Sequence, residues 1–145
     1  DAQPAEPEET EVERAAREAL ERGDYAAAEK AYDHAIAQSP ADADLKVARA
    51  QIRMLGRMDG KDPRALLAAA DAPGAGVEDQ LAGADAALAL GDVNVALGRA
   101  LEAVRSHSGE ERETARLRLL ELFDIIGSSA PEVTRARRQL ATLLF

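Results

Sequence analysis

The chain has 145 residues, 46% of them apolar, which suffices for one domain with a core of ordinary size. It carries no cysteine, which excludes disulfides, thiol chemistry and cysteine-based zinc sites in this segment. The formal charge of −9 divides into −10 over residues 1–98 and +1 over residues 99–145, so the chain lacks the basic face that nucleic-acid binding requires.

The opening DAQPAEPEET is rich in proline and glutamate and reads as a disordered linker over residues 1–9, ahead of a folded domain at 10–145. With Asp1 in place of a methionine, it suggests a fragment of a longer protein whose missing part lies upstream. Helices are predicted near 9–22, 25–38, 43–57, 77–90, 92–106, 110–126 and 130–144, with a short helical piece around 63–71. Thr10-x-x-Glu13, Ser108-x-x-Glu111 and Ser129-x-x-Glu132 all have the capping-box form. In DAPGAGVED, residues 71–79, the residues Pro73, Gly74 and Gly76 demand a loop, placed here between two sub-blocks. No strand-like alternation appears, and no apolar run approaches the roughly 20 residues that span a bilayer. A cytoplasmic location is the default expectation.

Gly23-Asp24 and Gly91-Asp92 stand 68 residues apart, twice the 34-residue period of the tetratricopeptide helical hairpin. Around the first pair, Ala16 supplies the small residue of the leading helix, and Gly23 and Asp24 form the turn. Tyr25 opens the second helix, Ala28, Tyr32 and Ala35 follow on its packing side, and Pro40 closes the unit. The second copy keeps Gly91, Asp92, Ala96, Ala100 and Ala103 but has neither the tyrosines nor the proline. The fold class expected is all-α: tetratricopeptide-like hairpins of about seven to eight helices, stacked in a short right-handed solenoid.

Candidates for chemistry fare poorly. His34 and His107 are the only histidines, 73 residues apart and without spaced partners, so neither suggests a metal or an acid–base pair. Asp24 reads as the cap of the helix after it. Gly56, Gly60 and Lys61 lack the order of a phosphate loop, and Ser128-Ser129 has no neighbouring base. The acidic runs Glu6–Glu13 and Glu110-Glu111-Glu113 suit helix starts. No catalytic residue, cofactor or metal is therefore expected, and the chain is read as a non-enzyme.

Function then falls to surfaces. In the last helix Val133, Ala136, Leu140 and Leu143 or Leu144 form an apolar stripe beside Arg135, Arg137 and Arg138, and Phe145 ends the chain. This helix either seals the repeat stack or docks a partner, and one face can do each. The candidate partner-binding residues are Arg135, Arg138, Leu140, Leu144 and Phe145.

The segment LLELFDIIGSSAPEVTRARRQLATLLF, residues 119–145, resembles the closing segment of the YbbN/CnoX family, carried by Phe123, Gly127, Pro131, Arg137, Arg138, Leu140, Ala141, Leu143, Leu144 and Phe145. The resemblance extends in order and length over residues 10–145. Members of that family join a thioredoxin-like domain to a tetratricopeptide-like one and act as co-chaperones, holding unfolding clients and passing them to a GroEL-type chaperonin. The resemblance implies an upstream thioredoxin-like domain joined through the linker. It also implies unfolded client proteins as partners and chaperonin docking through residues 130–145. Lacking cysteine, this segment cannot itself hold a redox function. The competing expectation is a helical-repeat adaptor that binds one specific partner peptide, unrelated to chaperone work.

Overall fold

Eight helices are present among residues 3–145, the part of the chain that the computed structural model describes: α1 (Glu11–Glu21), α2 (Tyr25–Gln38), α3 (Ala43–Met58), α4 (Pro63–Asp71), α5 (Val77–Ala89), α6 (Val93–Ser106), α7 (Gly109–Ile126) and α8 (Pro131–Leu144). Each predicted helix forms within two residues of its expected bounds, and no strand occurs among the described residues. Of the expected linker, residues 1 and 2 lie outside the described part. Residues 3–9 are exposed and non-helical, and Glu9 accepts from Arg17 Nε at 2.7 Å.

The two Gly-Asp turns are the same object built twice. Gly23 N–H donates to Leu20 O and Asp24 N–H to Ala19 O, both at 2.9 Å; Gly91 N–H donates to Leu88 O and Asp92 N–H to Ala87 O, again both at 2.9 Å. These crossed bonds satisfy the last carbonyls of α1 and α5, and they require a left-handed residue, which Gly23 (φ +72°) and Gly91 (φ +85°) supply. The aspartate that follows then starts the next helix: Asp24 accepts from Ala27 N–H at 3.0 Å, and Asp92 from Val95 N–H at 3.2 Å. Six residues thus end one helix, reverse the chain and cap its partner.

Only one of the three expected capping boxes closes. Thr10 and Glu13 exchange reciprocal bonds at 3.2 Å. Ser108 does start α7, but its side chain makes no capping bond, and Gly109 directly after it takes φ +61°. Ser129 is not a cap either. Pro131 occupies the first helical position with its φ already suited to it, which makes Ala130 the flanking residue.

The chain packs as two compact units, one ending at Arg53 and the other spanning Met54–Phe145. The division falls inside α3 and not at the 71–79 loop, where it was expected. That loop only reverses the chain: α4 and α5 press together across it, with Gly83 so close to Ala70 that a Cβ on Gly83 would stand 2.5 Å from Ala70 Cβ.

In the first unit, Ala16 and Ala19 of α1 meet Ala28 and Tyr32 of α2 and Ile52 of α3. Small side chains bring the helices close, and Tyr32 provides most of the buried bulk. Ion pairs tie α3 to α2 at the rim, Arg49 to Asp33 at 2.8 Å and Arg53 to Glu29 at 2.6 Å. In the second unit α6 is central. Its buried residues Ala96, Leu97, Ala100, Leu101, Ala103 and Val104 recur at helical spacing, and it packs on α5, α7 and α8. Leu81, Leu119, Leu122, Phe123, Val133 and Leu140 complete that core. Each large side chain so buried contributes about 1.5–3 kcal/mol.

Candidate interaction surfaces

The titratable side chains of the first hairpin do not converge on a site. Asp24 caps α2, Asp33 pairs with Arg49, and Tyr32 is buried, where desolvation, helped by Glu13, pushes its phenol up. Lys30 is exposed, and exposed His34 places Nε2 3.3 Å from Gln38 Nε2. His107 ends α6, its Nδ1 2.8 Å from Ala103 O and its Nε2 3.5 Å from Glu111. Among the described residues no group of three histidines, cysteines or carboxylates stands close enough to hold a metal ion. Nor is any described helix long and apolar enough to cross a membrane.

The marked repeat residues are placed as follows. Ala16, Ala28, Tyr32, Ala96 and Ala100 are buried; Tyr25 and Ala35 are half-buried; Gly23 and Gly91 sit in the exposed turns; and Pro40 is exposed beyond the end of α2. On the first unit, α1 and α2 enclose an open groove of about 740 Å³. Its floor is Val12, Ala15, Ala27, Ala31 and Ala35, and Glu11, Lys30 and His34 line its lips. Alanines keep it shallow, so it suits an extended or helical segment better than a compact ligand.

At the other end of the chain, α8 divides its faces. Val133, Ala136 and Leu140 are buried in the core of the second unit, and Leu143 and Leu144 pack partly against it. Leu140, at 7% exposure, is therefore a sealing residue and does not stand with the other candidate docking side chains. Arg137 lies with its guanidinium 4.8 Å from the centre of the Phe123 ring, a cation–π contact that covers the one large buried aromatic of this unit. Arg135 and Arg138 point to solvent, and Phe145 is fully exposed.

A feature the sequence reading passed over is a buried charge. Asp85, 1% exposed, sits on α5 among Ala84, Ala86 and Ala87. Arg57 donates to both its oxygens, Nε to Oδ2 at 2.8 Å and Nη2 to Oδ1 at 3.1 Å, while Nη1 reaches Glu121 at 2.9 Å. Arg118 Nη1 donates to Asp85 Oδ2 at 2.7 Å. Burial is the largest influence on both arginines. It leaves Arg118 below its ordinary value, whereas at Arg57 the bonds and charges of Asp85 and Glu121 together outweigh it and leave the group raised. The network locks the last turn of α3, α5 and α7 to one another. Its sequence signal was a lone carboxylate inside the small-residue run LAGADAALAL.

The profile of a family described as tetratricopeptide repeat matches residues 56–145. The matched stretch holds Gly91 but begins beyond the Gly23 turn, whose geometry is the same. Uncharacterised proteins of Mycobacterium tuberculosis (two strains) and Mycobacterium bovis are each 38% identical over 141 residues, a stretch that covers 95% of this chain and 46% of theirs. The chain thus spans about half the length of these curated relatives. No solved structure matches it.

Proposed function

Because the chain belongs to the tetratricopeptide-repeat family, whose members are protein-interaction modules, we propose that it is the binding half of a thioredoxin-fold co-chaperone of the YbbN/CnoX kind. It holds unfolding client proteins and docks on a GroEL-type chaperonin through α8, and a thioredoxin-like domain precedes it in the full protein. The observation that carries this reading is the division of α8. One face completes the core through Val133, Ala136 and Leu140, while Arg135, Arg138 and Phe145 are exposed. An exposed large aromatic and exposed arginines on one terminal helix have the composition of a binding hot spot. Support also comes from the open groove between α1 and α2, and from relatives that extend well beyond the matched stretch, as two-domain proteins do.

Deleting α8 would remove core side chains, so the test uses point variants. A chain with Arg138→Glu and Phe145→Ala, matched to the parent in helix content and melting temperature, is expected to lose co-sedimentation with a purified GroEL-type chaperonin. Unchanged co-sedimentation contradicts docking through α8.

A further inference from the structure

Two shallow hollows on the Met54–Phe145 unit share a rim. One, of about 400 Å³, lies among α4, α5 and α6 around Gln80, Val95 and Arg99; the other, of about 370 Å³, lies between α6 and α8 around Leu101, Arg105 and Leu143. Gly98 and Glu102 border both, so the hollows run into each other across the outer face of α6. Gly98 makes the crossing possible. It is exposed in the middle of a helix, and a Cβ there would meet nothing within 4 Å. Glycine at such a position weakens a helix relative to alanine, and here no packing constraint demands it.

The chemistry of the trough is specific. Its apolar surface comes from Val95, 41% exposed, in the first hollow and from Leu101 and Leu143 in the second. Its charged walls neutralise themselves: Arg99 holds Asp71 through two bonds at 2.8 and 3.1 Å, and Arg105 Nε holds Glu102 at 2.8 Å. A ligand with net charge finds no free counter-charge there. Among the described residues two covered polar atoms lack partners, the acceptor Gln80 Oε1 on α5 and the donor Arg99 Nε–H on α6. Such groups cost free energy until something satisfies them. A peptide bond carries the matching N–H and C=O.

We propose that the trough over Gly98 binds a neutral, extended peptide segment, its main-chain amide meeting Gln80 and Arg99 and an apolar side chain resting on Leu101 and Leu143. A shift of the Arg99 side chain along Asp71 uncovers the two polar atoms as the peptide enters. The inference rests on the reading of the chain as a binder of unfolded protein, and it names a surface distinct from α8's outer face and from the α1–α2 groove.

The test titrates the full chain with an N-acetylated, C-amidated nonapeptide of alternating leucine and serine, followed by amide and arginine Nε–H nuclear magnetic resonance. The expected result is shifts centred on Gly98 and Arg99, and at least a tenfold loss of affinity in Gly98→Leu, whose Cβ meets nothing within 4 Å and whose longer side chain stands in the trough. Ala31→Leu, in the α1–α2 groove, should bind as the parent does. Shifts centred elsewhere, or equal affinity in Gly98→Leu with its melting temperature preserved, overturn the proposal. If the parent suppresses aggregation of a denatured enzyme while the peptide shifts centre elsewhere or Gly98→Leu binds the peptide equally, the trough is wrong and the co-chaperone reading stands. Peptide binding at Gly98 without any such suppression supports the trough and removes the co-chaperone reading.

Discussion

Arg57 grips Asp85 through two hydrogen bonds, although the carboxylate is 1% exposed and is flanked on α5 by Ala84, Ala86 and Ala87. Replacing Asp85 with alanine leaves the guanidinium groups of Arg57 and Arg118 partly buried without their shared partner. The expected cost is about 3–5 kcal/mol, because an uncompensated buried charge is worth more than the pair it came from. Urea denaturation checks this, and a loss under about 1 kcal/mol would show the network to be ornamental.

Gly83 and Gly98 are both helical glycines with opposite surroundings. Gly83→Ala must push α4 from α5 at Ala70 and is expected to destabilise by about 1–3 kcal/mol. Gly98→Ala is expected to stabilise by up to about 1 kcal/mol, since nothing opposes the new methyl. Thermal melts of the two single variants should therefore move in opposite directions.

Matching turns should respond alike. Asp24→Ala and Asp92→Ala each remove one helix cap, at about 1 kcal/mol apiece. Because the two turns lie far apart in sequence and share no partner, the double variant is expected to lose the sum. A double-mutant cycle with a large coupling energy would contradict that independence.

Much of this was legible in the sequence, for physical reasons. A turn that needs a left-handed residue and then a cap leaves Gly-Asp behind, so Gly23-Asp24 and Gly91-Asp92 exposed the 34-residue period and the helix ends around it. Thr10 and Glu13 were readable because a capping box lies within four residues. What failed was context: Ser108 starts α7 without capping it, with Gly109 at positive φ directly after, and Pro131 moves the start of α8 one residue past the one Ser129 would cap. Asp85 was invisible because its partners, Arg57 and Arg118, lie 28 and 33 residues away in sequence. Leu140 was assigned to a docking face because apolar spacing alone does not say which side of a stripe is covered.

Acid should loosen the surface pairs before neutral or alkaline pH does. Arginine hydrogen bonds hold the carboxyls of Glu9, Asp71, Glu102 and Glu113 below their ordinary values. A carboxyl depressed on folding contributes stability that is present above its unfolded value and is lost as pH falls through the folded one. Stability is thus expected to be flat from about pH 5 to 8 and to decline below about pH 4. Chemical denaturation across that range checks it. Because these groups are exposed, salt should shrink the slope.

Light scattering from a chemically denatured, unrelated enzyme diluted into buffer with and without this chain is the most direct test of the central claim. A holder of unfolded clients is expected to suppress aggregation in proportion to its concentration, up to near-stoichiometric amounts. Scattering that is the same with the chain as without it would contradict the co-chaperone account and favour an adaptor for one specific peptide.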